Sequence, residues 1–338
     1  MGPDSSADRQ ALAKVIGLGL LWHCLCAITR LQVPEQLAAG PLPVRELAAA
    51  TGTDRDALYR VLRLLGDHGI VTLEGDLVGL TERGRLLCPD HPQSIHAAFA
   101  TVGVADVAHA LAGTLCTGRP AAPAVLGAAY WDYLAVHPDQ QALFDEAMRQ
   151  RATALSLACV PTLDWPSGGT VADVAGGTGT LLAAVLERAP GLRAILIDQP
   201  AVLTRARPFL EREGLVGRCD LHPADLFATA PRADLYLLAS VLHDWDDEHA
   251  ARILAAIGRG AGPASRLRIF EMLLPDDATP HRAKMSDVSM LLLFEGARER
   301  TAAEYRRLLE RTGWRFQRVV ASPGPMSVIE ASWPPQPR

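Results

Sequence analysis

From residue 170 onward, short apolar runs alternate with stretches of helical apolar spacing. The runs at 171–175, 194–198, 220–223, 235–242, 267–272, 315–320 and 326–331 read as strands, with helices between them. Leu181, Leu182, Val185 and Leu186 follow the first run at helical spacing. The segment after Trp245 opens on Asp246, Asp247 and Glu248, which favours a helix N-terminus, and the helix 302–312 stops at Gly313. This alternation predicts an α/β fold built on a doubly wound, mostly parallel sheet. The last two runs have only a short connection, so they pair antiparallel.

Upstream the pattern changes. A short helix from Pro43 stops at Gly52, and Thr53-Asp54 caps a second helix carrying Leu58, Val61, Leu62, Leu64 and Leu65. The runs 70–73 and 77–80 flank Glu74-Gly75-Asp76 as a hairpin. Helix, helix and hairpin make a winged-helix-like unit. Residues 15–28 are almost wholly apolar, lack a strongly basic leader and are too short to span a bilayer. They read as a helix packed in a dimer interface, with His23 a core residue. Residues 91–160 read as helical with a break at 118–123. The simplest division is a dimerisation domain over 1–105 and a ligand-binding domain over 106–338, with 106–165 as bridging helices.

Composition narrows the function. The chain has 338 residues, enough for two domains, and a net charge of −5. In the second helix of the winged unit, Arg55, Arg60 and Arg63 are balanced by Asp54, Asp56 and Asp67. Both features argue against nucleic acid or an anionic membrane as partner. Six cysteines show no Cys-x-x-Cys pair and no zinc spacing, as expected of a reduced, cytoplasmic protein without a metal cluster.

The chemistry centres on the turn after the first strand. Asp173-Val174-Ala175-Gly176-Gly177-Thr178-Gly179 lets the backbone turn tightly and approach a ligand. Asp198 closes the second strand, where a carboxylate accepts from ribose hydroxyls. Read from Gly177, the third position of a dinucleotide fingerprint is Leu182, and no Gly-Lys-Ser/Thr follows. The pattern points to a nucleoside without a pyrophosphate, of which S-adenosylmethionine is the commonest cofactor. Asp225, Leu226 and Phe227 after the third strand suit an adenine, the alternative for Asp225 being a simple turn cap. His243, in Ser240-Val241-Leu242-His243-Asp244-Trp245, closes the fourth strand and faces the crevice as a candidate base. Glu271 ends the next strand and Glu299 lies in Arg298-Glu299-Arg300-Thr301; either carboxylate suits the ring of His243. Tyr130, Trp131, Tyr133 and Phe144 are core or pocket wall.

The glycine turn with Asp198, the His-Asp-Trp triplet at 243–245 and the Glu-Arg-Thr triplet at 299–301 resemble the small-molecule O-methyltransferases, both plant caffeic-acid-type and bacterial natural-product enzymes. The resemblance spans nearly the whole chain. It implies a homodimer through the N-terminal domain, S-adenosylmethionine as cofactor and a phenolic or enolic hydroxyl on an aromatic acceptor. It further implies that Asp173, Gly176, Gly177, Gly179, Asp198, Asp225, Leu226, Phe227, Ser240 and Trp245 contact the cofactor. His243 would be the general base flanked by Glu271 and Glu299, with Met148, Asp244, Asp287 and Met290 at the acceptor. Two positions depart from the family. Ala175 replaces its first glycine, a mild change if φ is negative, and Ala239 stands where plant members place a lysine. C-methylation, hydroxylation and cyclisation occur on the same architecture. A ligand-sensing winged-helix regulator is the rival from another class.

Overall fold

Turn chemistry and apolar spacing set the N-terminal elements. Asp54 caps the helix Arg55–Asp67, its carboxylate accepting from the amides of Asp56 and Ala57 at 3.1 and 2.8 Å. Leu58, Leu62 and Leu65 on that helix share a core with Val44 and Leu47 of the helix Val44–Thr51. Strands β1 (Leu42–Pro43), β2 (Val71–Glu74) and β3 (Leu77–Leu80) form an antiparallel sheet in the order β1-β3-β2. The helices and hairpin match the expected winged unit. The two-residue β1 is too short to show periodicity and is defined only by its pairing with β3.

The apolar stretch 15–28 lies within a longer helix, Ser5–Arg30, of 26 residues. Only its end, from Leu21 onward, packs into the N-terminal core, while Leu12, Val15, Ile16, Leu18 and Leu20 are each more than half exposed. The apolar stretch itself is as short as expected, but the helix that contains it is longer. By length and composition alone, the helix Ser6–Arg30 is long and apolar enough to cross a membrane, its most apolar stretch of 18 residues having a mean hydropathy of 1.9. The stretch His96–Thr117 passes the same test, but its helix is interrupted at 101–103.

The computed structural model describes residues 5–334. It divides into two units, one reaching Ala105 and also holding Asp139–Gln150, the other holding Asp106–Pro138 and the chain from Arg151. The chain first leaves the first unit after Ala105. The segment 139–150, assigned to the bridging helices, groups with the first unit instead.

In the second unit, β4 (Gly169–Val174), β5 (Leu192–Asp198), β6 (Cys219–Pro223), β7 (Leu235–Ala239), β8 (Arg266–Met272), β9 (Arg315–Ala321) and β10 (Met326–Ser332) form one sheet. Its order is β6-β5-β4-β7-β8-β10-β9, and β10 runs antiparallel to both neighbours. Alternate side chains enter two separate cores. Val171, Leu196, Leu237 and Phe270 meet the helices Thr180–Arg188 and Pro200–Arg212. Ala172, Ile197, Tyr236 and Ile269 meet Asp247–Gly260 and Ala302–Arg311. Burial on both faces explains why these strands read as continuous apolar runs. The strand order reverses between neighbours β4 and β7, which opens a crevice at their carboxyl ends.

Two expectations need correction at those ends. The run 235–242 is not one strand. It stops at Ala239 because Ser240 adopts φ 55°, and Leu242–Asp244 is a 3₁₀ turn. Ala175 has φ 54°, so its replacement of glycine is not mild. An L-residue in the left-handed region costs roughly 1–2 kcal/mol. Ala175→Gly should remove that strain, partly offset by the greater freedom of glycine in the unfolded chain, for a net gain of roughly 0.5–1 kcal/mol. Denaturant unfolding of the two proteins measures it, and a less stable variant would contradict the strain.

Candidate active site

The turn after β4 is shaped by steric exclusion. A Cβ on Gly176 would lie 2.5 Å from Leu196 Cδ1 and 2.6 Å from Asp173 Cγ, so glycine is required there. Gly177 (φ 59°) has open space on its Cβ side, and Gly179 (φ 84°) starts the helix Thr180–Arg188. The Gly177 amide donates to Asp198 Oδ2 at 2.9 Å, and the Gln199 amide donates to Oδ1 at 2.7 Å. Asp198 is thus fixed against the turn, and each of its oxygens keeps acceptor capacity for a ligand hydroxyl. Asp173 is buried beneath the turn, and neither carboxylate oxygen has a hydrogen-bond partner among the described residues. Burial, then the nearby Asp198 charge, push its pKa up to about 8, so it is a neutral acid near pH 7.

Asp225 is exposed, and its Oδ1 accepts from the Phe227 amide at 2.7 Å, the turn-cap alternative weighed for it. Leu226, Phe227 and Trp245 pack against the second core. Phe227 meets Trp245 edge to face at 5.1 Å, and the Arg252 guanidinium lies 4.6 Å from the Phe227 centroid. His249 and Arg252 join this aromatic group one and two helical turns beyond Trp245, and neither stands out in the sequence.

His243 lies in the 3₁₀ turn after β7, only 4% exposed. Its Nδ1 is 2.7 Å from Glu271 Oε2 and 3.6 Å from Glu299 Oε1, while Nε2 is 3.3 Å from Asp244 Oδ1. The Glu271 contact is a close charge pair, out of line for a straight hydrogen bond. Glu271 Oε1 accepts from the amides of Val241 and Leu242 at 3.1 and 3.0 Å, so the carboxylate fixes the loop that carries His243. Burial disfavours the imidazolium, but Glu271 and Asp244 outweigh it and raise His243 well above 6.5. Burial alone would raise Glu271 too; the His243 charge reverses this and lowers it. Glu299 reaches about 7, raised by burial against the pull of His243. Two carboxylates facing one ring nitrogen in a dry site do not both ionise freely. His243, Glu271 and Glu299 offer ligand atoms within 4.8 Å of one another, but a cation there would compete with the ring proton for the same atoms.

The remaining acceptor candidates differ in placement. Asp287 Oδ1 accepts from the Glu299 amide at 2.9 Å, so Asp287 supports Glu299. Met290 is buried on the helix Arg282–Leu293. Met148 is 38% exposed and belongs to the first unit. Arg300 was read only as the middle of a triplet, yet its buried guanidinium donates to the carbonyls of Leu242 and Trp245, each at 2.7 Å, and to Asp247 Oδ1 at 2.8 Å. The Arg298 amide donates to the His243 carbonyl at 2.9 Å. Thr301 and Glu304 close a capping box on the next helix, which accounts for the threonine of the triplet.

Comparison with known sequences agrees with this geometry. The O-methyltransferase domain family matches residues 109–315, and the O-methyltransferase dimerisation domain family matches residues 17–90. The chain belongs to the O-methyltransferase family. The phenazine O-methyltransferase PhzM of Lysobacter antibioticus is 35% identical over 91% of this chain and 91% of its own length. A mitomycin biosynthesis 6-O-methyltransferase of Streptomyces lavendulae is 35% identical over 89% and 87%. A crystal structure of an O-methyltransferase from neocarzinostatin biosynthesis, in complex with S-adenosylmethionine and a hydroxynaphthoic acid, superposes with TM-score 0.80 at 28% identity, covering 94% of this chain and 96% of that one.

S-adenosylmethionine is the family's methyl donor, and the crevice fits it. Gly176 leaves room for a close backbone approach, Asp198 offers acceptors for hydroxyls, and Asp173 presents a buried, unpartnered acid. The state of Asp173 is testable without the donor. Its folded pKa is raised, so between about 4 and 8 the unfolded chain binds fewer protons there than the native protein. Stability from this group therefore falls as pH rises through that window. Asp173→Asn, which mimics the neutral acid, should flatten the decline of Tm between pH 5 and 8. An unchanged slope would show that Asp173 is ionised in the fold.

Proposed function

We propose that this O-methyltransferase moves the methyl group of S-adenosylmethionine to a phenolic or enolic hydroxyl of an aromatic natural product, with His243 as general base. The observation that carries the reading is a buried histidine with a carboxylate 2.7 Å from Nδ1, in the turn that follows β7, the strand beside β4. The donor supplies an activated methyl on a sulfonium. As the acceptor oxygen bonds to that carbon, the S–C bond breaks, its electron pair stays on sulfur, and the hydroxyl proton passes to His243 Nε2. Glu271 stabilises the cation this forms, Glu299 flanks the ring, and Asp287 holds the Glu299 amide. Asp198 takes the ribose hydroxyls, while Asp225, Leu226, Phe227 and Trp245 take the adenine. Ser240 stands beside Ala239, where plant members have a lysine. Asp244, Asp287 and Met290 border the acceptor. The relatives named above are a phenazine O-methyltransferase and an O-methyltransferase of mitomycin biosynthesis, which supports an aromatic natural product as acceptor here.

The chemistry fixes a pH dependence. The base must be neutral to accept a proton, and its pKa is raised, so the rate should climb with pH above 6.5 and level off higher. Glu271→Gln removes a charge that raises the pKa and should move the rising limb to lower pH. His243→Ala should lower kcat by about 10²–10⁴-fold, with donor affinity close to native. Near-native turnover of a phenol by His243→Ala would remove the base assignment.

The same reading makes the chain a cytoplasmic homodimer that binds no nucleic acid and no membrane. All six cysteines are free, and Arg55 of the winged unit is already paired with Asp56 and Asp76 at 2.8 and 3.2 Å. The match to the dimerisation domain begins within the exposed apolar helix, which a second copy would cover. Light scattering of the full chain at micromolar concentration should give twice the 36.2 kDa monomer mass, and Ile16→Glu with Leu20→Glu should lower it. A wild-type monomer would overturn the assembly.

A further inference from the structure

Arg151 is a half-buried charge near the base that no role above uses. It ends the helix Pro138–Arg151, and a π-helical turn, Ala152–Ser156, follows it. Such turns are frequent at functional sites. Its Nε and Nη2 are shut off from solvent, and neither finds an acceptor among the described residues. These two nitrogens form one edge of the guanidinium, an edge that matches a carboxylate through two parallel hydrogen bonds. The Arg151 field reaches Glu271 and Glu299, where, after burial and the His243 charge, it favours their ionised forms. Neither acid closes on it. Glu271 spends one oxygen on the Val241 and Leu242 amides and turns the other to His243, and neither oxygen of Glu299 has a hydrogen-bond partner among the described residues. A desolvated guanidinium edge costs free energy unless something completes it.

We propose that Arg151 binds a carboxylate on the acceptor, so that the substrate class is aromatic hydroxy acids with the acid group close to the reacting hydroxyl. This rests on the O-methylation reading above. A two-point grip would hold the ring in one plane and direct its hydroxyl to His243 Nε2.

The test gives the full chain and S-adenosylmethionine a panel of hydroxynaphthoic acids, their primary carboxamides and the parent naphthols, and reads kcat/KM from S-adenosylhomocysteine release. The acids should exceed the amides by roughly ten- to a hundredfold. Arg151→Gln should bring that ratio close to one, and Arg151→Lys should keep part of it. If Arg151→Gln does not fold, Arg151→Lys and the wild-type ratio decide. Amides and naphthols methylated as well as the acids would overturn the proposal and leave O-methylation standing. So would a ratio that survives in folded Arg151→Gln, which would make Arg151 a counter-charge for Glu271 and Glu299. A panel in which no aryl hydroxyl is methylated would sink both readings.

Discussion

The site depends on Glu271. It is fully buried, and a carboxylate in that position is tolerated only when both oxygens are occupied. One oxygen takes the amides of Val241 and Leu242, and the other faces His243. The loop after β7 thereby has its donors satisfied by an acid on β8. Its acceptors are satisfied from the opposite side, where Arg300 takes the carbonyls of Leu242 and Trp245 and the Arg298 amide takes that of His243. Accounting for every backbone group in this loop leads to residues far apart in the chain. The histidine is placed by its main chain before any side-chain contact is counted.

The same burial decides the charge states. Two carboxylates, a histidine and two arginines share a space that water hardly enters, so each ionisation is set by the others. Glu271, with two amide donors and the ring at 2.7 Å, stays ionised; Glu299, with no amide donor to its carboxylate among the described residues and the ring farther off at 3.6 Å, keeps its proton to about 7. Tyr305, buried and unpartnered at its hydroxyl, is pushed well above 10 by burial and then by Glu271. Asp173, across the crevice, is neutral for the first of these reasons.

Much of this was legible in the sequence, because strands buried on both faces leave uninterrupted apolar runs and because turns demand glycine. All seven strands of the large sheet and the antiparallel β10 follow from those signals. His243, Glu271 and Glu299 were readable from their positions at strand ends and in the triplet. What was not legible is contact made across long sequence separations. Arg300 reaches back 58 residues to Leu242, and neither residue carries a local mark of it. Asp287 is placed at the acceptor by family resemblance alone, and nothing local in the sequence marks the bond that its carboxylate accepts from the Glu299 amide. The segment 139–150 has the same helical pattern as its neighbours, and only packing assigns it to the other unit.

The glycine turn shows where sequence reasoning fails and why. Gly176 was weighted as a family glycine, and the reason proves steric, since a side chain would strike Asp173 and Leu196 at a negative φ. Ala175, one residue earlier, has the positive φ that glycine serves best. The sign of φ at a strand end depends on how sharply the chain must leave the sheet, and that is a property of the fold. Ser240 occupies the same unusual region at the end of β7, the strand beside β4. Both strained residues therefore sit where the two neighbouring strands send the chain in opposite directions, and where the crevice opens. Strain of this kind persists only when the surroundings over-determine it. Here the Gly177–Asp198 bond secures one turn, and the bond from the Ser240 amide to the Phe270 carbonyl secures the other.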